Sequence, residues 1–327
     1  MADRLKGKVA IVTGAGRGIG RGEALALAAE GAAVVVNDLG GTSAGEGASR
    51  SPADEVVSEI QGKGGKAVAN YDNVATMQGG ENIVKSALDT FGRLDVLVNN
   101  AGILRDRMIF NMAEEEWDAV IAVHLKGHFT TTKAASILFR QQRSGRIINT
   151  SSESGLGNMG QANYSAAKEG IVGLTRTLAR DLGRYGVTAN AIRPRAASRL
   201  TMSDEMRAAA EKSRATGVAA GVPDGGALAS LASLDPTYIA PLVVYLASDE
   251  AAYINGRNFL VGGPVMSLYS EPEPIRTMYN PNGFWTVDEV FPHFKQSLGQ
   301  GLRNPWPHRD AGTAPAGAGA SQTQAPV

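Results

Sequence analysis

The 327-residue chain contains no cysteine, few aromatic residues and only four histidines. Without thiols the chain can form neither disulfides nor thiolate nucleophiles. With so few histidines we expect no metal site. The sequence also lacks an apolar run of the roughly 20 residues that a membrane-spanning helix needs. We therefore expect a soluble protein, and disulfide-scaffold, thiol and metal chemistry are excluded.

The charges are balanced, with 32 basic and 32 acidic residues. Zero net charge does not favour nucleic acid or an anionic membrane surface as a partner. We expect small molecules and further copies of the same chain instead. The N-terminal MADRLKGK enters a strand without an apolar signal sequence, and the C-terminal QAPV differs from the SKL-type peroxisomal signal. We therefore expect a cytoplasmic protein.

Short apolar segments rich in β-branched residues alternate with segments of helical periodicity. The strands are expected near 8–13, 33–38, 66–71, 94–99, 145–151, 187–193 and 258–262. This alternation predicts an α/β fold with a doubly wound parallel sheet of the Rossmann type. We expect one domain over 1–265, a C-terminal extension over 266–310, and a disordered low-complexity tail over 311–327.

The first strand, KVAIVT, leads into the glycine-rich turn GAGRGIG and then into the helical segment EALALAAEG. Backbone N–H groups at the start of such a helix can face a pyrophosphate, and glycines permit its close approach. The spacing is GxxxGxG, whereas the commonest dinucleotide fingerprint is GxGxxG. The candidate cofactor contacts in this turn are Gly14, Gly16, Arg17, Gly18, Ile19 and Gly20.

A tyrosine and a lysine four residues apart, Tyr164 and Lys168, follow the strand-like GRIINTSS. Four residues are about one helical turn, so the phenol and the ammonium group lie on the same face. A nearby cation in a partly dry site can lower a tyrosine pKa from about 10 towards neutrality. We therefore predict that Tyr164 exchanges protons near neutral pH.

Together, TGAGRGIG, LVNNAG, a serine after the fifth strand and the YxxxK pair resemble the short-chain dehydrogenase/reductase family. The resemblance covers about residues 5–265. Within the family, VVVNDLGG, NNAGILRDR, VHLKG and GQANYSAAK resemble the (3R)-hydroxyacyl-CoA dehydrogenase domain of multifunctional enzyme type 2, which is 17-beta-hydroxysteroid dehydrogenase type 4-like. The resemblance implies one domain that holds both a nicotinamide cofactor and the substrate.

The resemblance also implies a role for each residue of the site. Tyr164 is the acid or base, Ser152 fixes the reacting oxygen, and Lys168 holds the nicotinamide ribose and lowers the pKa of Tyr164. Residues 202–235 correspond to the family's variable substrate lid. The further cofactor contacts that the resemblance implies are Asp72, Val74, Asn99, Ala101, Gly102, Pro194 and Thr201.

The choice between NAD and NADP depends on Asp38, at the end of the second strand. A carboxylate there can hydrogen-bond the ribose hydroxyls and repels the extra phosphate of NADP, so NAD is favoured. Arg17 is the counterargument, because a basic residue in the glycine turn pairs with that phosphate in some family members. A turn-capping role before Gly40 and Gly41 is the structural alternative for Asp38.

The catalytic serine is either Ser151 or Ser152. The family commonly has thirteen positions from this serine to the tyrosine, and that count selects Ser151. The end of the strand and the SxxG pattern that follows it select Ser152. Consecutive strand side chains point to opposite faces, so only one of the two can reach the cleft, and we favour Ser152.

His124 stands where most family members have an asparagine that orders a proton-relay water. The histidine either does the same work beside Lys168, and then counts among the catalytic residues, or fills space in the helix core.

We therefore predict an NAD-dependent oxidoreductase that interconverts a secondary alcohol and a ketone. The expected pair is a (3R)-3-hydroxyacyl-CoA and its 3-ketoacyl-CoA, in lipid or sterol side-chain β-oxidation. A hydroxysteroid or other lipid-alcohol dehydrogenase is the alternative on the same site, and a non-catalytic dinucleotide-binding sensor is the alternative of another class. We expect a homodimer or homotetramer.

Overall fold

Short runs of Val, Ile and Ala form a central sheet in the structure, a computed structural model that describes residues 3–197 and 234–304. Seven strands are parallel and the eighth is antiparallel, in the order β3-β2-β1-β4-β5-β6-β7-β8. The strands are β1 (Val9–Thr13), β2 (Ala33–Asn37), β3 (Lys66–Asn70), β4 (Val96–Asn99), β5 (Gly145–Thr150), β6 (Val187–Pro194), β7 (Asn258–Gly262) and β8 (Val265–Leu268).

The predicted doubly wound parallel sheet is confirmed, and each of the seven predicted strands lies within two residues of its expected bounds. The edge strand β8 was not predicted. Its residues are all exposed, so it carries none of the continuous apolar character of the buried strands.

The sheet is covered on both faces because alternate strand residues point to opposite sides. The helices are α1 (Gly18–Ala29), α2 (Ser51–Gly62), α3 (Met77–Phe91), α4 (Glu114–Ile121), α5 (Gly127–Gln142), α6 (Ala162–Leu182), α7 (Ala240–Ala247) and α8 (Val287–Phe294). On β1, Ala10 and Val12 join the core beneath α1, α2 and α7, whereas Val9 and Ile11 join the core beneath α3 and α5.

Local sequence sets several of these helix ends. The Thr76 hydroxyl caps the start of α3 by accepting a hydrogen bond from the Gly79 N–H at 3.0 Å, and Gly92 ends the helix in the left-handed conformation. Between α4 and α5 the chain continues as a π-helix over Ala122–Lys126. Such segments are rare and occur frequently at functional sites.

The strand order reverses between β1 and β4. The chain moves outward from β1 to β2 and β3, then returns to place β4 on the other side of β1. Ligands of open α/β sheets bind at the carboxyl ends of the strands beside such a reversal. The loops after β1 and β4 therefore define where the site is sought.

The chain divides into two compact units, Met1–Tyr269 and Ser270–Val327. The sheet and α1 to α7 lie in the first unit. In the described part of the second, Thr286 and Glu289 cap the start of α8 reciprocally. Over the described ranges, no helix combines the length and apolar character needed to cross a membrane.

Candidate active site

A cavity of about 210 Å³ lies at the carboxyl edge of the sheet, where the strand order reverses. Five segments line it: the glycine turn after β1, the end of β2 with the loop that follows, the turn after β3, the segment after β4, and the π-helix through Val123. The predicted contacts that line this cavity are Gly14, Arg17, Gly18, Ile19, Asp38, Asp72, Val74, Ala101 and Gly102.

The glycine turn leaves room for a ligand at the start of α1. Gly14 has φ +64°, and a side chain there would place its Cβ 2.7 Å from the Ala101 Cα. The N-cap residue of α1, Arg17, makes no side-chain capping bond, and the first turn contains no acidic residue. The free N–H groups and the helix dipole therefore favour an anionic group at this point. These features fit the diphosphate of a dinucleotide.

Asp38 follows β2 and connects two glycine segments. One carboxylate oxygen accepts a hydrogen bond from the Gly16 N–H at 2.8 Å, and the other accepts one from the Gly40 N–H at 2.6 Å. Only 8% of the residue is exposed. Asp38 thus caps the turn at Gly40 and also lines the cavity. Its turn-capping role is therefore compatible with a contact to the ribose.

Asp72 and Val74 lie in the turn after β3. The Asp72 carboxylate accepts hydrogen bonds from Asn70 and from Asn82, both at 2.8 Å. Val74 is nearly buried and packs against the core beneath α3 and α5. Both residues therefore have a fixed position at one end of the cavity.

The contact of Asn99 with the cofactor stays a prediction, because Asn99 does not line the cavity. The Asn99 amide is buried, donates to Thr132 and Asn149 at 3.0 Å each, and accepts from Thr131 at 2.7 Å. Asn100 lines the cavity instead, and its side chain donates to the Thr13 carbonyl at 3.0 Å. Asn99 lies on the opposite face of β4 because strand residues alternate.

The two serines after β5 point in different directions. The Ser151 hydroxyl is buried and donates to the Lys168 carbonyl at 2.7 Å. The Ser152 hydroxyl accepts from the Ser154 N–H at 3.2 Å and forms a hydrogen bond with the Tyr164 side chain. The geometry therefore pairs Ser152 with Tyr164 and gives Ser151 a structural contact.

Burial shifts the pKa values of both Tyr164 and Lys168, and the lowering of the Tyr164 pKa by Lys168 stays a prediction. Burial raises the pKa of Tyr164 to about 12, while the hydrogen bond of Ser152 acts in the opposite direction and the charge of Asp106 adds to the rise. Burial also lowers the pKa of Lys168 to about 7. The Lys168 ammonium group donates to the Thr150 carbonyl at 2.6 Å and lies 5.4 Å from the centre of the Tyr164 ring. Desolvation is the largest cause of the shift in both groups.

His124 lies in the π-helix and packs edge-on against Tyr164, with 5.1 Å between ring centres. Its Nε2 lies 3.1 Å from the Ile103 nitrogen and 2.8 Å from the Ile103 oxygen, while its Nδ1 is buried without a hydrogen-bond partner. Burial holds the pKa of His124 well below its usual range, so the ring is neutral. A side chain at Gly102 would place its Cβ 2.3 Å from this ring.

His124 and His128 are four residues apart, a spacing that metal sites can use. The His128 Nδ1 bonds to the His124 carbonyl at 2.7 Å, and burial lowers the pKa of His128 to about 3. Within residues 3–197 and 234–304, no group of three His, Asp or Glu side chains is placed to hold a metal ion.

Asn163 is a residue of the site that the sequence analysis missed. It is fully buried, its amide donates to the carbonyls of Arg105 and Glu116 at 2.9 and 3.0 Å, and its side-chain oxygen accepts from the Tyr164 N–H at 2.7 Å. Asn163 thereby fixes the first turn of α6, which carries Tyr164. The signal was available, because Asn favours helix starts.

The arginines near the cleft have acidic partners. Arg105 pairs with Glu46 at 3.2 Å and Arg107 with Glu116 at 2.7 Å. Asp106 accepts a hydrogen bond from Gln161 at 2.7 Å.

Two cofactor contacts expected near the nicotinamide lie at or beyond the end of β6. Pro194 ends that strand, half-buried and paired with Val261. Thr201 lies outside the described residues, as does all but the end of the expected lid over 202–235.

The chain is similar to known proteins over most of its length. Residues 8–211 match the family model of the short chain dehydrogenases. The hydroxyacyl-CoA dehydrogenase ChsB1 of Mycobacterium tuberculosis is 46% identical over 299 residues, which are 88% of this chain and 87% of that protein. The peroxisomal multifunctional enzyme type 2 of Mus musculus is 49% identical over 260 residues, but the match spans only 32% of that protein. A crystal structure of a short chain dehydrogenase from Mycobacterium avium superposes with a TM-score of 0.74 at 44% identity, covering 94% of this chain and 99% of that one.

Proposed function

The chain belongs to the short-chain dehydrogenase/reductase family, and from that premise we propose that it is an NAD-dependent dehydrogenase of (3R)-3-hydroxyacyl-CoA. The observation that carries the proposal is the meeting of the Ser152 hydroxyl and the Tyr164 phenol close to the buried Lys168. The relative named a hydroxyacyl-CoA dehydrogenase, which matches over 88% of this chain, supports the substrate class.

The cavity at the carboxyl edge of the sheet is the proposed cofactor site. A nicotinamide dinucleotide, when bound, accepts or supplies the hydride. The start of α1 would hold its diphosphate, and Asp72 and Val74 would hold its adenine.

Asp38 supports NAD over NADP in this proposal. Each of its oxygens accepts one backbone N–H and keeps a lone pair for a ribose hydroxyl. Two backbone N–H groups hold the carboxylate in place, so it would stay beside the extra phosphate of NADP and repel it. This repulsion favours NAD, although Arg17 is exposed in the glycine turn.

The proposed proton transfer uses two hydroxyl groups. The Ser152 hydroxyl orients the reacting oxygen of the substrate, and the Tyr164 phenolate removes its proton as the carbon loses a hydride. The alcohol thus loses one proton and one hydride and becomes a ketone. In the reverse direction the Tyr164 phenol returns the proton. Lys168 is proposed to hold the nicotinamide ribose, and His124 to keep Tyr164 in place through the edge-on ring contact.

We also propose that residues 1–265 hold both sites and that the chain acts as a homodimer or homotetramer. All described residues of the candidate site lie within the first compact unit. Two large apolar side chains on α5, Phe129 and Ile137, are 46% and 52% exposed. Light scattering of the purified chain tests the assembly, and a monomer at micromolar concentration would contradict it.

The test of the function is NADH or NADPH formation by the purified full chain. We offer NAD and NADP in turn with a (3R)-3-hydroxyacyl-CoA, its 3S isomer and a hydroxysteroid. The proposal expects turnover of the 3R thioester with NAD. Turnover of the steroid alone would replace the substrate class, and preference for NADP would overturn the role given to Asp38. The Tyr164→Phe variant is the control, because it should lose turnover and still bind NADH.

A further inference from the structure

A buried arginine lies behind the candidate catalytic serine. Arg193 is the second-last residue of β6 and is only 2% exposed. A guanidinium group in such a place is costly unless its N–H groups find partners. Its partners therefore indicate what the residue does.

The guanidinium group of Arg193 connects two segments of the site. One terminal nitrogen donates to the Ser152 carbonyl at 2.5 Å, and the other donates to the Glu169 carboxylate at 2.7 Å. Ser152 carries the hydroxyl that meets Tyr164, and Glu169 directly follows Lys168 on α6. A single side chain thus joins the serine segment to the helix that carries Tyr164 and Lys168.

Neighbouring contacts fix the same segment from the other side. The Arg193 guanidinium lies 5.0 Å from the centre of the Tyr269 ring, and the Tyr269 hydroxyl donates to Glu153 at 3.4 Å. Arg195 forms two hydrogen bonds with Glu153, at 2.5 and 2.7 Å. The residue after Ser152 is therefore anchored as well.

We propose that Arg193 is a positioning residue that holds the Ser152 backbone and the start of α6 in the arrangement that proton transfer requires. The kinetic part of this inference rests on the proposed function. Displacing a reacting group by about 1 Å can cost about a hundredfold in rate. Loss of Arg193 should therefore lower kcat and leave cofactor affinity almost unchanged, because the proposed contacts of the diphosphate, the adenine ribose and the adenine lie on other segments, after β1, β2 and β3.

Arg146 provides a matched control on the neighbouring strand β5. Its side chain is 8% exposed, it donates to the Ser248 carbonyl at 3.2 Å, and it pairs with Asp249 at 3.4 Å. It is thus also a buried strand arginine bound to a carbonyl and a carboxylate. It is the second residue of its strand, so it lies at the amino edge of the sheet, whereas Arg193 lies at the carboxyl edge beside the serine segment.

The experiment compares Arg193→Met, Arg193→Lys and Arg146→Met in the full chain. It measures kcat with an alcohol that the wild type oxidises, the Kd of NADH and the melting temperature. It also measures hydrogen exchange at Gly155 and Gly157, whose N–H groups bond within the serine segment. We expect Arg193→Met to lower kcat by about tenfold to a hundredfold, to keep the Kd within about twofold, and to speed exchange at both glycines. Arg193→Lys should recover part of kcat, because an ammonium group supplies donors without the planar fork.

Two results would overturn the inference. The first is that Arg193→Met leaves both kcat and hydrogen exchange unchanged. The second is that Arg146→Met loses as much kcat and as much thermal stability as Arg193→Met, which would make Arg193 a general stabilising residue. If the wild type oxidises none of the alcohols, the proposed function fails, and the exchange data still decide whether Arg193 holds the segment.

Discussion

Glu23, a buried carboxyl group on α1, should make the stability of the protein fall as pH rises. The residue is fully buried, and neither of its side-chain oxygens has a hydrogen-bond partner within residues 3–197 and 234–304. Burial raises its pKa from 4.5 to about 8. Because the folded state holds this proton more tightly than the unfolded state, the folded state loses stability between about pH 4.5 and pH 8.

The size of this effect follows from the shift in pKa. Each pKa unit corresponds to about 1.4 kcal/mol, and pH 7 lies about 2.5 units above the unfolded value, so the cost at pH 7 is about 3 kcal/mol. Total stabilities of domains are only about 5–15 kcal/mol. Glu23→Gln should remove this cost, because an amide of the same shape does not ionise.

Urea unfolding of wild type and Glu23→Gln at pH 5, 6, 7 and 8 measures the effect. We expect the free energy of unfolding of Glu23→Gln to exceed that of the wild type by little at pH 5 and by about 3 kcal/mol at pH 7. Glu81→Gln, at an exposed position on α3, is the control and should change stability by less than about 0.5 kcal/mol. A difference between wild type and Glu23→Gln that is the same at every pH would refute the reasoning.

Three further predictions concern the site. Ser152→Ala should lower kcat by about a hundredfold. Ser151→Ala should mainly lower the melting temperature, because its hydrogen bond to the Lys168 carbonyl is lost. The reverse pattern in steady-state kinetics and thermal scans would give the catalytic role to Ser151. Asp38→Ala should raise the KM for NAD and reduce the preference for NAD over NADP. The ratio of kcat/KM for the two cofactors measures this preference, and an unchanged ratio would contradict the ribose contact. Because the pKa of Tyr164 is raised to about 12, the rate of alcohol oxidation should increase as pH rises from 7 to 10. The Asp106 charge contributes to the raised pKa, so Asp106→Asn should move the increase in rate to lower pH. Identical pH–rate profiles of the wild type and Asp106→Asn would contradict this prediction.

The alternation of apolar residues was enough to predict the sheet and its parallel strands. It did not reveal β8, whose exposed residues have no buried face to produce a pattern. The glycine turn, Asp38 and the pair of Ser152 and Tyr164 were recognised because their short-range order is characteristic of the family.

The remaining parts of the site depend on contacts that are distant in sequence. Arg193 gave no signal because its partners, Glu169 and Tyr269, lie far along the chain. Asn99 was assigned to the cofactor from its motif alone. The period of two along β4 places its side chain on the same face as Leu97, which packs beneath α3 and α5.

The sequence also does not show whether burial or a neighbouring charge has the larger effect on the pKa values of Tyr164 and Lys168. Their spacing indicated a cation beside a phenol, and this favours a lowered pKa for the tyrosine. The pKa values instead follow the depth of the two groups in the protein, which no local pattern reports.

The most direct test of the account follows the hydrogen that leaves the substrate. A (3R)-3-hydroxyacyl-CoA with deuterium at C3 is incubated with NAD and the purified chain, and mass spectrometry then measures deuterium in the reduced cofactor. The account predicts deuterated NADH from the 3R isomer, little from the 3S isomer, and none with Tyr164→Phe. Reduced cofactor without deuterium, or equal transfer in Tyr164→Phe, would contradict it.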